Sequence, residues 1–280
     1  LEDSDIHNVL VKYQENLPML VAGVINGTHP NSLLKQLISS QIDADRMDYL
    51  QRDAYYTGVS YGHFDMERIM RVMRPRKNGV VIKESGMHAV EHYIMSRYQM
   101  YLQIYLHPVS RSAEVVLNNV LKRVKELWQE GYHFKQQPKP FEPFFKGNVE
   151  LEDYIALDES IMLAYFQFWM HEDDSILSDL SRRFINRRLF QYVNLNPLEQ
   201  KEVYSELRRL FTEAGIDPNY YLVHDSTSDL PYDFYRPAIE GAKKPIYLLM
   251  QDGQQSELSV QSQIVEAIAG HIKVDHKVYY

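Results

Sequence analysis

The 280 residues contain no cysteine, which excludes disulfides, thiolate zinc sites and cysteine nucleophiles. That agrees with a reducing compartment. No Walker loop, no G-x-G-x-x-G fingerprint and no G-x-S-x-G elbow occurs, so mononucleotide P-loop, dinucleotide-binding and serine-hydrolase chemistries have no support. Apolar runs stay short of a membrane span, and "LEDSDIHNVL" has neither the basic start nor the apolar centre of a signal peptide. The Asn26-Gly27-Thr28 sequon is therefore expected to carry no glycan, and the protein to be soluble and cytoplasmic. A basic footprint is missing too. The formal net charge of −8 argues against a general nucleic-acid or anionic-membrane binder, while leaving room for a small polyanion held by a few clustered arginines. Nor is there an initiating methionine: "LEDSDIHNVLVKYQ" reads as the middle of a helical pattern, and "HIKVDHKVYY" stops on a strand-like run. A longer parent chain is expected.

What is present is 45% hydrophobic and 24% charged, enough to bury one large core or two smaller ones. Up to about Leu210 the periodicity is helical, as in "HPNSLLKQLISSQI", "FDMERIMRVM", "HAVEHYIMSRYQMYLQIYL", "SAEVVLNNVLKRVKELWQEGY" and "SILSDLSRRFINRRLFQYV". "QQPKPFEPFFKGN", from Gln136 to Asn148, reads as a loop. "PLEQKEVYSELRRLFTEAG" is one more helix, ending at Gly215. Strands follow in "NYYLVHDST" and "PIYLLMQDG", then a helix in "SVQSQIVEAIAGHI" and a last strand in "HKVYY". The expected fold is mainly α, with a helical domain over 1–135, a helical extension over 136–210 and a small α+β subdomain over 211–280.

One stretch concentrates chemistry. "SSQIDADRMDYLQRDAYYTG", from Ser39 to Gly58, holds four Asp, two Arg and four Tyr or Met. On a helix Asp45, Tyr49 and Asp53 stack on one face, with Arg46 at its edge. An Asp there suits a metal shell whose other ligands lie elsewhere, and an Arg suits phosphate oxygens. A second reading makes Asp48 and Arg52 an i, i+4 pair on an exposed helix, with the tyrosines as core filler. Periodicity alone leaves both open.

Continuing through "VSYGHFDMERIMRVMRP", this stretch resembles the fourth-ligand helix of HD-domain deoxynucleoside triphosphate triphosphohydrolases. The bacterial dGTP-regulated members are the nearer likeness and the vertebrate SAM-and-HD dNTPase a more distant one. The similarity runs from Ile6 to Tyr280 and includes "LDESIMLAYFQFW", "SDLSRRFINRRLFQYV", "HDSTSDLPYDFYRP" and the final "KVYY". It implies an HD-domain-like helical body and a divalent metal of unspecified identity. In the family's D-x-D-[KR] block the second acid, here Asp45, is a metal ligand, and the basic residue after it, Arg46, touches the triphosphate. Tyr49 and Asp53 would face the deoxyribose. "SRYQMYLQIYLHP" fits the family's later phosphate helix, giving Arg97 for the terminal phosphates and Tyr105 against the sugar, where a 2′-OH would clash. Pro108 stands where the family carries a Lys. Members of the family are tetramers activated by nucleotide bound between subunits. The matching effector positions are Arg68, Lys83 and Arg187, with Gln191 replacing a Lys of the vertebrate relative.

The family's first His and its His-Asp pair belong upstream of Leu1, so no catalytic residue is expected in this chain. The sole His-Asp dipeptide, His224-Asp225, lies in a strand-and-turn context and reads as a decoy. His88-Ala89-Val90-Glu91-His92 matches the H-x-x-E-H pattern of inverted zinc peptidases, but a surface or interface helix is the preferred reading. The expected function is metal-dependent hydrolysis of a dNTP to deoxynucleoside and tripolyphosphate by a homotetramer regulated by a nucleotide effector such as dGTP. The alternative, should the natural chain lack the HD core, is a non-catalytic dNTP-binding and oligomerisation module.

Overall fold

Most helices in the first hundred residues open on a side chain that satisfies their free amides. The computed structural model describes residues 4–77, 79–196, 200–227, 245–268 and 275–280. Ser4, Asn31, Asp43 and Asp65 cap α1 (Asp5–Leu10), α3 (Ser32–Ile38), α4 (Ala44–Thr57) and α5 (Met66–Val72), each accepting a backbone N–H of its first turn. Pro18 instead starts α2 (Leu17–Ile25). Helix α4 turns Met47, Leu50 and Ala54 inward and ends at Gly58, whose left-handed φ of 73° a side chain would resist. Gly62 is demanded by close approach: a Cβ there would lie 2.3 Å from the Leu50 carbonyl oxygen. Helix α6 (Met87–Met100) buries Val90, Tyr93, Ile94 and Met100 together with Glu91, Ser96 and Arg97, so it is covered on several sides.

Two compact units emerge, Leu1–Ile104 with Asp229–Lys273, and Tyr105–Ser228 with Val274–Tyr280. In the first, β1 (Met73–Arg76) and β2 (Gly79–Lys83) form an antiparallel hairpin. Strand β5 (Tyr247–Leu249) joins β2 in parallel with Ile82 opposite Leu248, and β6 (Gln255–Glu257) returns along β5, giving the order β1-β2-β5-β6. Short helices α14 (Leu258–Gln261) and α15 (Gln263–Ile268) follow.

The second unit is built on α7 (Pro108–Gln129), whose Val116, Val120 and Val124 recur at helix spacing on its inner face. Around them pack Phe166 and Trp169 of α10 (Glu159–Trp169) and Leu177 and Leu180 of α11 (Ser175–Ile185). Helices α8 (Glu142–Lys146) and α9 (Leu151–Ala156) precede α10, while α12 (Gln200–Glu213) and α13 (Pro218–Tyr221) follow α11. Strand β7 (Asp275–Tyr279) lies between β3 (Tyr192–Asn194) and β4 (Val223–Thr227), antiparallel to both. Arg111 holds Asp225 through two bonds of 3.0 and 2.8 Å, and Arg123 holds Asp174 the same way at 3.1 and 2.6 Å.

The mainly helical fold with small sheets is the expected class. Several local expectations are corrected. Strands β1, β2 and β3 interrupt the stretch before Leu210 that reads as wholly helical, because "RPRKNGVVIK" pairs with itself as a hairpin and β3 pairs with the distant β7. The Gln136–Asn148 loop contains α8. Asn219–Tyr221 coil as the end of α13, so the strand in "NYYLVHDST" begins only at Val223. Ser262 divides the helix read in "SVQSQIVEAIAGHI". No helix among the described residues is long and apolar enough to cross a membrane.

Candidate functional site

The turn entering α4 is buried rather than solvated: Gln41 is 2% exposed and Asp43 3%. Asp43 accepts the Ser40 N–H at 2.9 Å and the Arg46 N–H at 2.8 Å, so one carboxylate both closes the turn and caps the helix. The same carboxylate lies 3.7 Å from Arg46 Nε. Tyr93, on α6, donates to the Gln41 carbonyl at 2.9 Å and fixes the other side of the turn.

Two guanidinium groups meet at this turn. Arg46 Nη1 lies 3.5 Å and Arg97 Nη1 3.4 Å from the same Gln41 Oε1. Both contacts are at the outer limit of a hydrogen bond, so the amide marks where the two cations converge. Arg97 is only 4% exposed, and its guanidinium carbon sits 5.6 Å from the Tyr101 ring centroid. Burial pushes the Tyr49 phenol well above its ordinary range, a hydrogen bond with Tyr101 pushes it further, and Arg97 and Arg46 pull against both. At neutral pH Tyr49 is therefore a protonated phenol within the field of both arginines. One buried and one half-buried cation, two phenols and one amide make an environment suited to an anion with several oxygens.

Of the residues singled out from sequence, the structure brings Arg46, Tyr49 and Arg97 together. Asp45 lies exposed in the first turn of α4, and Asp53 is half-buried two turns further along. Asp48 and Arg52 form the exposed i, i+4 pair. Tyr105 closes a π turn over Tyr101–Tyr105 and belongs to the second unit. Arg68 donates to the Ser85 carbonyl at 2.9 Å, close to Lys83 at the end of β2, and both are exposed. Arg187, in the second unit, is exposed beyond α11 with a left-handed φ of 54°. Gln41, Asp43 and Tyr101 were missed as site residues. Tyr101 carried a faint signal, standing four residues after Arg97; Gln41 carried none.

Among the described residues no three His, Asp or Glu side chains gather to hold a metal ion. The donor set therefore does not fit a complete metal shell, and Asp45 stands as a lone carboxylate. The H-x-x-E-H residues are otherwise engaged: Glu91 accepts from Ser262 Oγ at 2.5 Å and pairs with His88 Nδ1 at 2.6 Å, tying α6 to the α14–α15 turn, while His92 is exposed. His224 and Asp225 lie on β4, with Asp225 held by Arg111. Asp174 of the acidic "HEDD" run caps α11.

Comparison with known proteins bears on the fold and on one region of the chain. Residues 64–135 match the HD associated region. The chain is 64% identical over 280 residues to YwfO of Bacillus subtilis, spanning 100% of this chain and 65% of YwfO. A phosphohydrolase from Bacteroides thetaiotaomicron superposes with a TM-score of 0.82 at 26% identity, over 98% of this chain and 70% of that one. A protein of Aquifex aeolicus shares the fold, with a TM-score of 0.70 at 22% identity over 99% and 66% of the two chains. The chain thus spans just under two thirds of the length of YwfO. It carries an HD-associated region on a fold shared with a phosphohydrolase.

Proposed function

We propose that this chain is the substrate-binding portion of a metal-dependent dNTP triphosphohydrolase, which splits a dNTP and water into deoxynucleoside and tripolyphosphate. The observation that carries the reading is the convergence of Arg46 and Arg97 on the Gln41 side-chain oxygen, beside the Tyr49 phenol. Their guanidinium forks offset the charge of the triphosphate and orient it. Tyr49 and Asp53 hold the deoxyribose, and Tyr105 is assigned the exclusion of a ribose 2′-OH. The base is held loosely, since no base-reading set stands out. Asp45 is the one metal ligand assigned to this chain; the others, and the catalytic groups, are assigned to the part of the longer relatives that it does not span. Arg68, Lys83 and Arg187 are proposed to hold a nucleotide effector such as dGTP in a homotetramer.

The test is Asp45→Ala in the intact protein, followed by tripolyphosphate release from dNTPs. Asp45 is exposed, so the variant folds, and activity should be abolished; full retention would refute the metal assignment. A second reading, should the natural chain lack the HD core, is a non-catalytic dNTP-binding and oligomerisation module. Intact protein that binds dGTP and changes oligomeric state without releasing tripolyphosphate would establish it.

A further inference from the structure

The second unit contains a cavity of about 580 Å³ lined by α11, the turn between α12 and α13, and the last residue of the chain. Its apolar surfaces include Phe190, Phe211 and Ile216. Such a volume is ample for one small molecule.

The polar groups are few and already ordered. Arg183 Nε donates to Asp179 Oδ2 at 2.7 Å, and the Tyr221 hydroxyl donates to the same oxygen at 2.9 Å. The guanidinium carbon stands 5.7 Å from the Phe190 centroid and 5.8 Å from that of Tyr221, so carboxylate and rings together hold it in place. Burial and the neighbouring Asp179 raise the Tyr221 phenol well above its ordinary range, which keeps it a donor. Asp217 accepts the Asn219 N–H through Oδ1 at 2.9 Å. Among the described residues, the terminal nitrogens of Arg183 and Oδ2 of Asp217 make no further hydrogen bond. The cavity therefore offers a donor fork, a carboxylate oxygen and aromatic walls.

This combination discriminates between ligand classes. Two carboxylates against one guanidinium leave a net negative cavity, which opposes a phosphate ester. A purely apolar ligand would desolvate Arg183 and Asp217 without pairing them. A flat, uncharged heterocycle with adjacent acceptor and N–H groups on one edge answers both, accepting from Arg183 and donating to Asp217 while its face lies against the aromatic walls. We propose that the cavity between α11 and the α12–α13 turn binds an uncharged nucleoside through its base and rejects the phosphorylated forms. The reading rests on the cavity alone; the reaction proposed above enters only in that its deoxynucleoside product belongs to this class.

The test is calorimetric titration of the intact protein with deoxyguanosine, deoxyadenosine, thymidine and a deoxynucleoside 5′-monophosphate, with chelator present so that no turnover contributes. At least one nucleoside should bind at or below about 1 mM, and its monophosphate more weakly. Asp217→Asn keeps a capping side chain and should weaken binding about tenfold or more. Phe211→Ala should do likewise through the lost stacking surface. No binding by any nucleoside would overturn the proposal, as would equal affinity in folded Asp217→Asn protein or a monophosphate that binds as well and is weakened equally by Asp217→Asn. None of these readings depends on tripolyphosphate release, so this proposal and the proposed reaction fail separately.

Discussion

Replacing Arg97 by methionine separates the proposed anion-binding role of this residue from its structural one. The side chain is 4% exposed, 3.4 Å from the Gln41 amide oxygen and 5.6 Å from the Tyr101 ring. Methionine keeps an unbranched stem in the same space, which limits the volume lost. One structural loss is the contact with Tyr101, on the order of 0.5–2 kcal/mol. For a bound triphosphate, one charge-assisted contact contributes about 1.5–3 kcal/mol, so affinity should fall about 10- to 150-fold. The assay is calorimetric titration of a dNTP into intact protein with chelator present, at two salt concentrations, with thermal unfolding as the control for folding. The affinity should also become less salt-dependent, since a cation facing the phosphates is gone. Arg46→Met should behave alike, and the double variant should be non-additive because both arginines address the same Gln41 oxygen. A folded Arg97→Met protein that binds the dNTP within about twofold of the wild type would refute the anion-site reading.

Other outcomes follow from named contacts. Tyr105→Ala should raise turnover of ribonucleotides relative to deoxyribonucleotides in the intact protein; an unchanged preference removes Tyr105 from sugar selection. Gly62→Ala should lower stability by roughly 1–3 kcal/mol, because the new Cβ would lie 2.3 Å from the Leu50 carbonyl oxygen and 2.9 Å from Ala54 Cβ; an unchanged urea midpoint would show that the turn yields freely. Glu91 gives a pH signature. Burial raises its pKa, but the Ser262 hydroxyl and His88 outweigh burial and hold it below the ordinary carboxylate value. Its contribution is therefore complete above the unfolded pKa of about 4.3 and lost as pH falls through the lower folded value. The stability gap between wild type and Glu91→Gln should narrow on acidification through that window, and a gap that is constant with pH would contradict the assignment.

The features legible in the sequence are those whose causes lie within a few residues. Asp43 caps α4 three residues before the amide it accepts, Gly58 supplies the left-handed residue that ends the helix, and Asp45, Tyr49 and Asp53 share a face because the helix repeats every 3.6 residues. The Asp48–Arg52 pair follows from the same spacing. The apolar periodicity of α7 marks a helix in the same way. Tertiary structure alone decided where those elements meet. Ile82 pairs with Leu248, and Ser262 reaches Glu91 across 171 positions; no local propensity encodes either partner. Asp48 and Asp53 look alike in sequence, yet one is exposed and the other half-buried. Gln41 became the meeting point of two cations only because Tyr93 of α6 packs against its turn and brings Arg97 alongside. Periodicity sets which side of a helix is apolar; which neighbour covers it, and which charges are thereby brought together, depends on packing that closes over the whole chain.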